Sequence, residues 1–118
     1  MNTKENEMIT PQDFEEVEAY VKENYQLHGL KRIMTYSTAA RSFECPEGFT
    51  ASIFVCFYKG KYSSVMAYMS VISNEQRDFK HEGVKVERAI FSLDELKELE
   101  SKINETIDFA LKLGLWNQ

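Results

Sequence analysis

The hydrophobic pattern of this chain changes period twice, and that change constrains the fold more than any other feature. Near both ends the apolar residues recur every three or four positions, which is typical of a helix that buries one face. Between residues 33 and 91 apolar and polar residues alternate, which is typical of strands. The predicted order is therefore α-β-β-β-β-α: an α+β domain with an N-terminal helix, a four-stranded antiparallel sheet and a C-terminal helix, the helices packing on one face of the sheet.

The first helix is predicted over residues 11 to 27. Thr10 is a suitable N-cap, Pro11 suits the first helical position, and Gly29 is a natural C-terminal stop. The apolar stripe of this helix consists of Phe14, Val17, Tyr20, Val21 and Tyr25.

The last helix is predicted from residue 93 to about 113, with its end near Gly114. Ser92 and Glu95 have the spacing of a capping box. The apolar stripe of this helix consists of Leu93, Leu96, Leu99, Ile103, Ile107, Ala110 and Leu111.

Strands are predicted over residues 33 to 43, 50 to 58, 62 to 72 and 84 to 91. The first two are separated by a turn at Cys45-Pro46-Glu47-Gly48, and Lys59-Gly60-Lys61 forms a short hairpin between the next two. Residues 73 to 83 are polar and charged, which predicts a long loop or a helical turn.

The chain has 118 residues, a length that predicts one domain over residues 1–118, with residues 1–9 as a flexible N-terminus. No apolar stretch approaches the roughly 18 residues that span a bilayer, so no membrane contact is expected. The polar start, with two glutamates before Met8, does not match a signal peptide. The expected compartment is the cytoplasm.

The net charge of −5 is unevenly distributed along the chain. Residues 1 to 26 hold two lysines and seven acids, and residues 91 to 118 hold three lysines and six acids. Residues 27 to 90 hold nine lysines and arginines and six acids. The acidic excess therefore belongs to the predicted helices and the basic excess to the predicted sheet.

The residue types that support catalysis are sparse. Cys45, Cys56, His28 and His81 show no short ligand spacing, so no metal site or cofactor is expected. Cys56 stands in an apolar run, where burial would make the thiol inert, and Cys45 has no obvious activating base. The glycines form no phosphate-binding loop. The chain is therefore interpreted as a binding protein and not as an enzyme.

The sheet face turned away from the helices is the predicted binding surface. If the odd-numbered apolar residues of the second and third strands face the helices, the opposite face carries Phe54, Tyr58, Tyr62, Met66 and Tyr68. On a single-stranded nucleic acid, the tyrosines would stack on bases and cations would neutralise phosphates. The candidate residues for this role are Tyr58, Tyr62, Tyr68, Lys59, Lys61, Arg41 and Arg88. The structural alternative is that a helix or a second copy of the chain covers this face, which predicts a homodimer through the sheet.

A second hypothesis assigns the function to the acidic helices. In that case the chain is an acidic protein-binding module, such as an inhibitor, an immunity-type protein, a chaperone or a phage-type antagonist, that recognises a basic protein partner. The alternative explanation is that these charges only keep the surface soluble. The acids concerned are Asp13, Glu15, Glu16, Glu18 and Glu23 in the first helix and Glu98, Glu100 and Glu105 in the last.

One segment is similar to a known family. The stretch Ala89-Ile90-Phe91-Ser92-Leu93-Asp94-Glu95-Leu96-Lys97-Glu98-Leu99 resembles the strand-to-helix junction of the Whirly, PUR and transcriptional-coactivator group of single-stranded nucleic-acid-binding proteins. At the level of pattern the resemblance covers residues 32 to 111. It implies a dimer whose curved sheets grip a single strand. The acidic first helix and the net charge of −5 depart from that group.

Overall fold

The computed structural model describes residues 8–27, 36–45, 49–73 and 84–112. Several predictions concern parts of the chain outside these ranges. They are the flexible N-terminus up to residue 7, the two histidines, the turn at 46–48, the loop at 74–83 and the helix ends at Gly29 and Gly114.

The described chain forms an antiparallel sheet with helices from both ends of the sequence, and the predicted α+β class is confirmed. The sheet is a meander in which every strand pairs with its neighbour in the chain, in the order β1-β2-β3-β4-β5. The elements are α1 (Pro11–Asn24), β1 (Gln26–Leu27), β2 (Tyr36–Phe43), β3 (Phe49–Lys59), β4 (Ser63–Ser73), β5 (Val84–Ala89), α2 (Leu93–Ser101) and α3 (Ile103–Lys112).

The four predicted strands correspond to β2 to β5, and β1 adds a two-residue pairing at the edge of β2. This extra strand takes the place of the last turn predicted for the first helix, because the chain is already extended at Tyr25. The β3–β4 connection has three residues, as predicted, but it is shifted by one position along the chain. Lys59 pairs with Ser63, so the connection is Gly60-Lys61-Tyr62.

The predicted helix starts are both present. The Thr10 hydroxyl accepts a hydrogen bond from the Asp13 backbone N–H at 3.1 Å, and the Ser92 hydroxyl accepts one from the Glu95 N–H at 3.3 Å. The Glu95 carboxylate does not bond the N–H of the N-cap residue, as it would in a usual capping box. It accepts a hydrogen bond from the Phe91 N–H at 2.6 Å, one residue before the cap, and so ties the end of the sheet to the start of α2.

The C-terminal helix is interrupted once, between α2 and α3. At Lys102 the backbone is at φ −92° and ψ 0°, and its N–H bonds the Leu99 carbonyl at 3.1 Å in a tighter turn. The Ser101 hydroxyl donates to the Glu98 carbonyl at 2.8 Å, where it competes with the backbone N–H that would bond this carbonyl in a regular helix. The apolar stripe nevertheless continues, because Leu99 and Ile103 are both buried.

The buried apolar side chains of the described residues form one cluster between the helices and one face of the sheet. The odd-numbered residues of β3 and β4 face the helices, as predicted. Their members in the core are Ala51, Ile53, Val55, Phe57, Val65, Ala67, Met69 and Val71. Each is at most 5% exposed, so the helices cover the centre of this face.

None of the helices within the described ranges combines the length and the apolar character needed to cross a membrane.

Candidate interaction surfaces

The pairing register determines which side chains share the second face of the sheet. Directly opposed residues in an antiparallel pair point to the same side. Three rows cross the sheet in this way, and we call them together the open face. The rows are Ser42, Ser52, Ser70 and the register position of Lys85; Ala40, Phe54, Tyr68 and Glu87; and Thr38, Cys56, Met66 and Ala89. Tyr58 and Ser64 extend the open face toward the β3–β4 hairpin.

The three candidate tyrosines are all exposed, but they do not form one platform. Tyr58 is 45% exposed, Tyr68 37% and Tyr62 57%. Tyr58 and Tyr68 lie on the open face, whereas Tyr62 lies in the hairpin connection. There Tyr62 lines a groove of about 630 Å³ with Met8, Met66 and Phe91.

The Tyr58 ring folds back over the hairpin. A Cβ atom added to Gly60 would lie 2.6 Å from the Tyr58 hydroxyl and 2.7 Å from its ring carbons. The absence of a side chain at Gly60 therefore allows this close approach. One side of the ring is occupied by the turn.

Lys59 lies on the helix side of the sheet, opposite to the rings. Its ammonium group is 3.4 Å from a carboxylate oxygen of Glu18 in α1 and 5.4 Å from the centre of the Phe14 ring. The prediction that Lys59 flanks the aromatic face is wrong, because Lys59 follows Tyr58 directly and successive side chains of a strand point to opposite faces.

Arg41 also lies on the helix side, since it is paired with the buried Ile53. Its guanidinium group donates to a carboxylate oxygen of Glu100 at 3.2 Å and stacks 4.8 Å from the centre of the Phe43 ring. Arg88 shares this side of the sheet because it is paired with Ala67. The structure therefore does not bring Arg41 or Arg88 to the face that carries Tyr58 and Tyr68.

Lys61 is the candidate cation that remains close to a candidate ring. Its ammonium group lies 5.7 Å from the centre of the Tyr62 ring, within the range of a cation–π contact. Of the seven predicted residues, the structure brings together this pair in the hairpin. Tyr58 and Tyr68 share the open face but stand four residues apart in the register.

Glu100 is the centre of a network that the sequence interpretation missed. Its two carboxylate oxygens accept hydrogen bonds from the hydroxyl groups of Tyr20, at 2.7 Å, and Tyr25, at 2.6 Å. The Glu100 side chain is 12% exposed, so the prediction that it contributes to an outer acidic surface is wrong. Its position in the helix indicates burial, because Glu100 follows Leu96 by four residues and precedes Ile103 by three, and both of these side chains are buried.

Burial and the carboxylate together keep the two tyrosines of this network protonated. Desolvation raises the pKa of Tyr25 far above its ordinary value, and the hydrogen bond to Glu100 raises it further. The pKa of Tyr20 is raised by the same two causes, in the same order. Both phenols therefore act as hydrogen-bond donors that satisfy Glu100.

The two cysteines are free thiols. Cys45 donates to the Phe49 carbonyl at 3.1 Å, and burial raises the pKa of its thiol, which makes it a poorer nucleophile. Cys56 was predicted to be a core thiol. Instead it lies half-buried on the open face and accepts a hydrogen bond from the Thr38 hydroxyl at 3.5 Å. Within the described ranges, no three ligand-type side chains converge to form a metal site.

The outer surface of the helices is acidic, and we call it the acidic helical surface. Its exposed carboxylates belong to Glu15, Glu16, Glu23, Asp94, Glu98, Glu105 and Asp108. Exposed lysines are fewer among the described helical residues, and two of them have partners. Lys102 is 3.9 Å from Glu98, and Lys97 lies 5.2 Å from the centre of the Tyr20 ring.

An exposed aromatic ring stands within this surface. Phe109 of α3 is 54% exposed, although the neighbouring residues of the apolar stripe, such as Ile107, are buried. Glu105 precedes it by four residues, so the ring and the carboxylate are neighbours on one face of α3. Lys112 stands three residues beyond, near the end of the helix.

No protein-family model matches this chain, and no curated protein or solved structure matches it significantly. The resemblance of residues 89–99 to the Whirly, PUR and transcriptional-coactivator group therefore stays a prediction.

Proposed function

We propose that this protein is a non-enzymatic binding protein that recognises a basic protein partner through its acidic helical surface. The observation that carries this proposal is the pairing of sheet cations with helix carboxylates. Lys59 is bound to Glu18 and Arg41 to Glu100, so these cations neutralise buried or half-buried acids. The exposed helical surface keeps an excess of carboxylates.

Phe109 supplies the apolar contact that such a surface needs. Protein interfaces concentrate their binding energy in a few anchors, and aromatic rings and arginines are the most frequent ones. A guanidinium group from a partner would stack on the exposed Phe109 ring while it pairs with the Glu105 carboxylate. The surrounding acids would steer a basic partner toward this point and raise the association rate.

A photocrosslinking experiment tests the proposal in the source cell. Phe109 is replaced by a photoreactive phenylalanine analogue, and the crosslinked protein is identified by mass spectrometry. Tyr62, which is equally exposed, receives the same analogue as the matched control. We expect a basic protein to be captured from position 109 and not from position 62.

Binding to the purified captured protein then supplies the decisive measurement. We expect Glu105→Lys to weaken binding about tenfold or more, and Glu98→Lys, whose carboxylate already has a partner in Lys102, to weaken it less. Capture from position 62 alone, or an affinity that does not respond to Glu105→Lys, would contradict the proposal.

Single-stranded nucleic-acid binding is the second candidate function, and the Lys61–Tyr62 pair with exposed Tyr58 is the observation that favours it. Bases would stack on the rings at the hairpin end of the open face, with Lys61 at a phosphate. The test is fluorescence anisotropy of a labelled single strand at about 50 mM and about 200 mM salt.

If this function is correct, binding weakens steeply with salt, Tyr62→Ala weakens it with the fold intact, and Lys61→Ala lowers the salt slope by about one. Lys59→Ala and Arg41→Ala are informative comparisons, because their cations lie on the helix side. Absence of binding at the lower salt concentration would exclude this function for DNA.

A further inference from the structure

We propose that two copies of this chain associate through their open faces, so that the sheets pack against each other and the helices of both copies lie on the outside. This interface is separate from the acidic helical surface, because the open face lies on the opposite side of the sheet. The proposal rests on the charge, the composition and the size of the open face.

Charge favours a second copy as the occupant of this face. The chain carries a net charge of −5, so two copies repel each other wherever their acidic helices meet. By the register, the charged residues in the open-face rows are Lys85 and Glu87, and both belong to the edge strand β5. Contact through this face separates the two acidic helical layers and leaves no unpaired charge at the centre of the interface.

The pattern of side chains on the open face suits a symmetric contact. Phe54 and Tyr68 are opposed in the register, and Cys56 and Met66 are opposed in the next row, so the four form a central apolar patch on β3 and β4. Three serines lie in the row on one side of this patch, and each patch row has one alanine end, Ala40 or Ala89, with Glu87 and Thr38 at the opposite ends. An apolar centre whose charged neighbours lie only on the edge strand allows two identical faces to pack by a twofold rotation.

The area of the open face is sufficient for a stable dimer. Strands lie about 4.8 Å apart and rise about 3.3 Å per residue, so β2 to β5, with 8, 11, 11 and 6 residues, cover about 570 Å². Two faces would together bury about 1,100 Å², which exceeds the roughly 1,000 Å² that a specific interface needs. Contact would also cover the exposed Tyr68 ring and the half-buried side chains beside it.

Sedimentation measurements between about 1 and 100 µM test this proposal on the full chain. We expect a dimer. Tyr68→Glu places a charge near the centre of the interface and should raise the dimer dissociation constant about 100-fold or more. Ala89→Arg is a second variant at an exposed position of the open face, where the substitution leaves the core intact. It should also weaken the dimer, and circular dichroism confirms that both variants are folded.

Phe109→Glu is the matched control, because it adds the same charge at an exposed aromatic position on the helix side. It should leave the dimer unchanged, although it weakens binding to the basic partner. A chain that stays monomeric over the whole range overturns the proposal. So does a dimer that Phe109→Glu dissociates, and so does one that neither Tyr68→Glu nor Ala89→Arg weakens.

Discussion

The carboxylate of Glu100 links three elements of the molecule. Tyr20 and Tyr25 reach it from the first helix and the residue that follows it, and Arg41 reaches it from β2. A carboxylate buried to this degree is tolerated because three donors satisfy its two oxygens. The ring of Tyr25 also lies 5.9 Å from the Arg41 guanidinium carbon, so the cation is held by rings as well as by charge.

Removal of this carboxylate should destabilise the protein. Glu100→Ala leaves two phenol hydroxyl groups and a guanidinium group without their acceptor. We expect the free energy of unfolding to fall by about 2 to 3 kcal/mol, measured by urea unfolding. Glu98→Ala is the control, since Glu98 pairs with Lys102 at an exposed site and should change stability by less than about 0.5 kcal/mol. Equal effects of the two substitutions would contradict a structural role for the Glu100 network.

The same network predicts a loss of stability in alkaline solution. The pKa of Tyr25 is raised in the folded chain because burial and Glu100 disfavour the phenolate, whereas in the unfolded chain it returns to about 10. The unfolded state therefore releases its proton first, and the stability from Tyr25 is complete below pH 10 and declines above it. We expect urea midpoints to fall more steeply above pH 10 in the native sequence than in Tyr25→Phe. Parallel pH profiles of the two proteins would contradict this assignment.

At the scale of single elements, the start of α2 connects the sheet to the helices. Ser92 caps the helix, and Glu95 reaches back to the Phe91 N–H directly after β5. We expect Ser92→Ala to reduce the free energy of unfolding by about 1 kcal/mol. Ser101→Ala is a matched control, because the Ser101 hydroxyl bonds a carbonyl at an exposed position and its loss should change stability by less than about 0.5 kcal/mol. A Ser101→Ala effect as large as that of Ser92→Ala would indicate that capping is not the cause.

The elements themselves were largely predictable because local chemistry determines them. The caps at Thr10 and Ser92 and the alternation in β3 and β4 are present in the sequence and in the structure. The same alternation also predicts the side of the sheet on which Lys59 lies. Because Phe57 faces the core, Lys59 must face the same side, and its separation from Tyr58 could have been inferred. The break at Lys102 was not predicted, since the apolar spacing continues through it.

At the scale of the whole molecule, the candidate sites depended on register, which local patterns do not determine. Arg41 and Arg88 face the helices because β2 pairs with β3, and β4 with β5, in one particular alignment. A shift of one residue would have moved either arginine to the open face. The role of Glu100 was hidden for a related reason. Its partners are 59, 75 and 80 residues away in the chain, so only its place in the leucine stripe indicated burial.

The meander order has a consequence for the kinetics of folding. Each strand pairs with its neighbour in the chain, so the sheet assembles from short-range hairpins, whereas the Glu100 contacts close loops of 59 to 80 residues. We expect these contacts to form after the transition state, so Glu100→Ala should leave the folding rate nearly unchanged and accelerate unfolding about 30- to 150-fold. Stopped-flow chevron plots measure both rates, and a slowed folding limb would place the contacts in the transition state. If only unfolding accelerates, the lifetime of the native state is set by one carboxylate that joins the first and last helices to the sheet.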